Sequence, residues 1–205
     1  MATADTRAAF ARAAAGDGVV LGPATFDWLC EQGHVGLERV AKARRDPAIV
    51  APVIAALAVL ERICSRLRGD VTVLHAAREN LLLPCDLVHL PSGTIVEVDG
   101  PEHFTSARLA ALELYPAGAA VGFDVAGHAA LCHDLAATTD LLSRGLPAKA
   151  FGFGGVLRER AYHDALRDLA SPAMGHPPLV RIAATDGDGT AAYARHRDVL
   201  AALAG

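Results

Sequence analysis

The chain has 205 residues, a net charge of -4 and a hydrophobic share of 52%. That length suits one domain with a sizeable core, or one domain with a small appendage, and the apolar share excludes a disordered chain. No apolar run reaches the roughly 18 residues that a bilayer span needs. The first residues, with Asp5, Arg7 and Arg12 among alanines, lack the apolar core of a signal peptide. A cytoplasmic location is the expectation.

Cys30, Cys64, Cys85 and Cys132 are scattered without a Cys-X-X-Cys pair. This disfavours a zinc ribbon or a disulfide framework and points to buried thiols. The acidic balance does not help a nucleic-acid binder unless bases gather on one surface.

Residues 3 to 46 read as short helices. The first begins near Thr6 and breaks at Gly16-Asp17-Gly18; Ala24 to Gln32 and Val35 to Arg45 follow. Lys42, Arg44 and Arg45 end the last one, complementing the helix dipole or meeting phosphate. Residues 1 to 47 are assigned as a helical N-terminal extension to a domain of residues 48 to 205. Val50 to Leu67 is predicted helical, with Val53, Ile54, Leu57, Leu60, Ile63, Cys64 and Leu67 on its apolar face. Gly69-Asp70 stops it, and β-branched Val71 to Leu74 reads as a strand. Beyond it, Glu79 is a candidate to approach the acids described next, and Arg78 a candidate phosphate contact.

Pro84 to His103 carries the strongest chemical signal. Two apolar runs flank Pro91-Ser92-Gly93, a strand-turn-strand pattern. Alternation puts Ile95, Glu97 and Asp99 on one face and Thr94, Val96 and Val98 on the other. Asp86 begins the first strand, so a hairpin brings it toward Glu97 and Asp99, with His103 just beyond. Crowded carboxylates repel, and Mg2+ or Mn2+ relieves such repulsion through oxygen ligands. The alternative is a solvated strand end in which Asp99-Gly100-Pro101 serves only as a turn.

Asp86 followed eleven residues on by Glu97-Val98-Asp99 resembles the PD-(D/E)XK nuclease superfamily, with Asp99 standing where the family has lysine. Val96 to Phe104 is similar to the branch of very-short-patch repair and homing endonucleases, and to the RNA-binding RAP domain. The likeness covers residues 50 to 125. It implies an α/β (α+β) fold with a restriction-endonuclease-like core: a mixed sheet in the order helix-strand-hairpin-helix-strand, flanked by helices. By the resemblance, Asp86, Glu97 and Asp99 would bind Mg2+ or Mn2+, with the Val98 carbonyl as a further ligand and His103 as base or phosphate-side donor. Glu61, on the first helix, is an accessory candidate. The implied activity is metal-dependent hydrolysis of nucleic acid, DNA before RNA; an isologous homodimer would suit a double-strand cutter. The alternative is a catalytically inactive, RAP-like binding module on the same fold.

Farther along, Thr105 or Ser106 caps a helix to Leu114, with Arg108 placed to meet substrate if it faces the cleft. Ala119 to Phe123 is the expected closing strand. His128 to Leu142 reads as a helix; His128 and Cys132 on it are a weak zinc pair. Phe151 to Gly155 is a flexible turn without phosphate-loop spacing. The helix Leu157 to Leu169 offers Arg158, Arg160, His163 and Arg167 to a groove, although interleaved Glu159, Asp164 and Asp168 suggest a solvated face. A strand at Leu179 to Ala183, the turn Asp186-Gly187-Asp188-Gly189 without a full calcium-loop ligand set, and a helix from Thr190 to Ala204 complete the chain.

Overall fold

A computed structural model of the protein describes residues 3–78 and 81–204. Its centre is a mixed sheet of β1 (Leu21–Gly22), β2 (Leu87–His89), β3 (Thr94–Asp99) and β4 (Val180–Ala183), in that spatial order. β1 and β2 pair antiparallel, as do β2 and β3, whereas β3 and β4 run parallel. Glu97 therefore lies opposite Arg181, and Val98 opposite Ile182.

The period-2 pattern divides β3 between two layers. Val96 and Val98, with Val180 and Ile182 of β4, pack on Phe10 and Ala14 of α1 (Ala4–Gly16) and on Ala192, Tyr193 and Leu200 of α8 (Gly189–Ala204). Ile95 points the opposite way, into the larger core formed by α2 (His34–Arg44), α3 (Pro47–Arg66), α5 (Ser106–Leu112) and α7 (Val156–Ala173). The result is helix, sheet, helix in three layers. Between these helices lie α4 (Val71–His75) and α6 (Val125–Leu142).

α3 starts where the Asp46 carboxylate accepts the Ala48 N–H at 2.9 Å and Pro47 presets the first turn. By length and composition this helix is apolar enough to cross a membrane. Here Val53, Leu60, Ile63 and Cys64 are buried in the core, while Ile54, expected on the same face, is exposed.

Three expected elements differ. Val71 to Leu74 is helical: the Asp70 carboxylate accepts the N–H groups of Thr72 and Val73 at 2.9 and 3.2 Å, and this cap outweighs the β-preference of the valines. Ala24 to Gln32 contains no helix; Trp28, Leu29 and Cys30 are consecutively buried, and the segment is tied by Cys30 pairing with Leu82. Ala119 to Phe123 is not a strand. Its Gly122 N–H donates to the Leu179 carbonyl at 3.0 Å, but Val180–Ala183 occupies the place beside β3. Gly122 passes so close to that carbonyl that an added Cβ would lie 2.6 Å from it.

Candidate functional site

The hairpin brings the first two acids together as its spacing predicts. The Asp86 N–H donates to Glu97 Oε1 at 3.2 Å, and Asp86 Oδ2 accepts the Val98 N–H at 3.0 Å. Both side chains and Val98 line a cleft of about 190 Å3, whose wall also includes Arg7, Arg160, Arg167, His103 and His163.

Each motif acid meets an arginine from a different element. Arg7 of α1 donates to Asp86 Oδ1 at 2.6 Å. Arg167 of α7 has its Nε 3.6 Å from Glu97 Oε1. Arg181 of β4 places Nη1 2.8 and 3.0 Å from the two Asp99 oxygens. The repulsion that was expected to require a cation is thus relieved by guanidinium groups.

Behind Asp99 lies a buried polar network. Arg181 Nε donates to Asp168 Oδ1 at 2.8 Å, and its Nη2 donates to the Asp164 carbonyl at 3.2 Å. Arg108 Nη2 and the Tyr115 hydroxyl both reach Asp168 Oδ2 at 2.6 Å. His103 Nδ1 stands 3.0 Å from Asp164 Oδ2 and 3.4 Å from Asp99 Oδ1. Asp99, Asp164 and Asp168 are met by Arg108 and Arg181, with Arg167 3.6 Å from Asp164 and His103 set between Asp164 and Asp99.

The protonation equilibria follow this arrangement. Burial lowers the His103 pKa, but Asp164 and Asp99 outweigh it and raise the group above 6.5. Burial likewise opposes the charge on Asp164, yet Arg181 and His103 hold it well below the ordinary carboxylate value. Glu97 goes the other way: desolvation, only partly offset by Arg167, raises it to about 7. Desolvation also pushes His163, on the cleft wall, down to about 3, leaving it neutral.

A divalent ion fits the proposed three-carboxylate set poorly. Asp99 is fully buried, held by Arg181 through both oxygens, and is not part of the cleft wall. Among the described residues, no group of three or more His, Cys, Asp and Glu side chains is placed to hold a metal ion. His103 reaches the cleft, but its Nδ1 is turned to the buried acids.

Other candidates are placed differently from their expectations. Arg108 is fully buried and turned away from the cleft to Asp168. Asp164 and Asp168 are buried rather than solvated. Their four-residue spacing, with Arg167 between, sets them on the sheet-facing side of α7. Arg160, His163 and Arg167 do share the cleft, whereas Arg158 binds the Phe151 and Phe153 carbonyls. Glu61 and Arg78 are exposed outside the cleft wall, and Glu79 lies outside the described residues. His128 packs between Phe104 and Phe123, with ring centroids at 4.7 and 5.3 Å, and Cys132 is a free buried thiol. The Asp186–Gly189 turn meets α1 through the Gly187 carbonyl, which accepts the Thr6 hydroxyl at 2.8 Å.

Sequence reasoning missed Arg181 and the part played by Arg7. Arg181 had a visible signal: a charged residue amid Val180, Ile182 and Ala183 on a buried strand requires a buried partner. Arg7 had none, because only the fold brings α1 to the open end of the hairpin.

No protein-family model, curated protein or solved structure matches the chain.

Proposed function

We propose that the chain is a nucleic-acid-binding module on a restriction-endonuclease-like core, and that it holds the phosphate backbone without hydrolysing it. Support for the core comes from element order. α1, β1, the β2–β3 hairpin, α5 to α7 and β4 occur in the helix-strand-hairpin-helix-strand sequence that the resemblance implies, with α2, α3 and α4 inserted between β1 and the hairpin. The first helix and strand are residues 4–16 and 21–22 instead of 50–67 and 71–74, and the closing strand is 180–183.

The observation that carries the non-hydrolytic reading is the pairing of Asp86, Glu97 and Asp99 with Arg7, Arg167 and Arg181. A carboxylate set already neutralised by buried or half-buried guanidiniums has little electrostatic demand for a divalent cation. On the same cleft wall Arg160, which donates to the Glu102 carbonyl at 3.1 Å, is suited to phosphate, whose oxygens accept the planar guanidinium fork, while Arg7 and Arg167 would share theirs with Asp86 and Glu97. A metal-dependent hydrolase is the second reading, favoured by the raised pKa of Glu97 beside Asp86, which marks an incompletely compensated buried acid.

Fluorescence anisotropy with labelled DNA and RNA, in single- and double-stranded forms, tests this reading alongside gels run with Mg2+ and Mn2+. The expected result is salt-sensitive binding without cleavage, weakened several-fold by Arg160→Gln. Absence of binding across the panel overturns it. Mn2+-dependent cleavage that disappears in Asp86→Ala would establish the hydrolase instead.

A further inference from the structure

A second recess lies outside the acidic cleft, between the loop at residues 25–27, α2 and the turn after α7. Its volume is about 750 Å3, within the roughly 300–1,000 Å3 typical of ligand pockets. Its wall combines two half-buried rings, Phe26 and His176, with the exposed guanidiniums of Arg39 and Arg44. The rings meet edge to face at 4.8 Å, and both rest on buried Trp28, at 5.3 Å from Phe26 and 5.7 Å from His176. Burial and the nearby Arg44 charge lower the His176 pKa, so its ring is neutral near pH 7.

Rings backed by a buried indole, beside cations, suit a stacked base with its phosphate at the rim. Base faces within a duplex are already covered by their neighbours; an unpaired base has a face to offer. The recess also lies close to the acidic cleft along the chain. Leu82 is on the wall of the first and Pro84 on the wall of the second, and residues two apart in a chain are separated by at most about 7 Å. Arg167 donates to the Pro84 carbonyl at 2.8 Å, fixing that connecting segment to the cleft. The one acid on the recess wall, Asp27, pairs with Arg44 at 2.5 Å and competes with an incoming phosphate.

We infer that the Phe26–His176 recess is a stacking subsite for an unpaired base, so that the ligand is a single strand running from this recess into the Arg7–Arg167 cleft. The inference rests on the proposed nucleic-acid function and specifies its strandedness.

The test uses the full chain with labelled dT and U oligomers of about 15 nucleotides, long enough for a typical single-strand site, and a duplex of equal length. Single strands are expected to bind at least about ten-fold more tightly than duplex. Phe26→Leu, which keeps apolar contact with Trp28, and His176→Ala should each weaken single-strand binding roughly ten-fold. Asp27→Asn, which removes the competing acid, should tighten it several-fold. Circular dichroism checks folding. Emission from Trp28, the only tryptophan in the chain, provides a readout on the unaltered protein: saturation with dT oligomer should change it. Duplex binding as tight as single-strand binding, unchanged affinity in folded Phe26→Leu, or unchanged Trp28 emission at saturation overturns the stacking subsite. If Arg160→Gln still weakens binding in those cases, the proposed function survives. Failure to bind any oligomer removes both.

Discussion

Arg181 reaches diagonally across the parallel strand pair to Asp99, one guanidinium nitrogen within 3.0 Å of both carboxylate oxygens, and neither side chain reaches solvent. This contact turns an acid of the motif inward. It also connects the hairpin to α7 through Asp164 and Asp168.

Arg181→Met should destabilise the fold by about 3–5 kcal/mol, because it strands buried carboxylates that have no access to water. Asp99→Asn should cost less, since Arg181 retains Asp164 and Asp168. Urea unfolding of both variants checks the ranking. Equal stability of Arg181→Met and wild type would show that the network contributes nothing to the fold.

Glu97 and His103, with raised pKa values, each remove stability as pH rises, against His34, His128, His163 and His176, whose lowered pKa values add it; the Glu97 share is isolated by substitution. The folded pKa values of His103 and Glu97 both lie above their unfolded values, so at these two groups the folded state binds more protons between about pH 5 and 8. The His103 contribution is complete below 6.5 and is lost as pH rises through its folded value. Replacing Glu97 by Gln mimics the protonated acid. Glu97→Gln should therefore match wild type near pH 5 and exceed it by about 1–3 kcal/mol near pH 8. Denaturation midpoints of both proteins across this range give the difference, and a Glu97→Gln advantage that does not grow with pH would refute the assignment.

α1 and α8 approach closely at Gly189, where an added Cβ would lie 1.9 Å from the Thr6 carbonyl oxygen and 2.8 Å from the Phe10 nitrogen. Backbone on both sides leaves no flexible side chain to yield. Gly189→Ala should cost about 1–3 kcal/mol and lower the thermal midpoint. A neutral result would mean that the two helices separate readily.

The Asp70 cap explains why a valine-rich segment is helical, and its removal is directly measurable. Asp70→Ala leaves the Thr72 and Val73 N–H groups without their acceptor. A loss of about 1 kcal/mol in chemical denaturation is expected, with faster amide exchange confined to residues 71–75.

The hairpin was legible because alternation and a Pro-Ser-Gly turn are local properties, and Ile95 and Val96 do enter opposite cores. The helices α3 and α5 were legible, the first from its apolar spacing and the second from its cap at Thr105. The strand expected at residues 119–123 was not, because a short apolar run does not reveal which of two segments will occupy the place beside β3. The site was half legible: Asp86 and Glu97 meet through local hairpin geometry, but their arginines arrive from residues 7 and 167.

By itself, the sequence determined the acidic hairpin, its two faces and the helices that cover them, since all of these follow from spacing along the chain. Only the tertiary structure decided the electrostatic state of those acids. Whether a crowded carboxylate takes a cation, a proton or a guanidinium depends on what distant segments bring within a few ångströms. Here α1, α7 and β4 bring Arg7, Arg167 and Arg181.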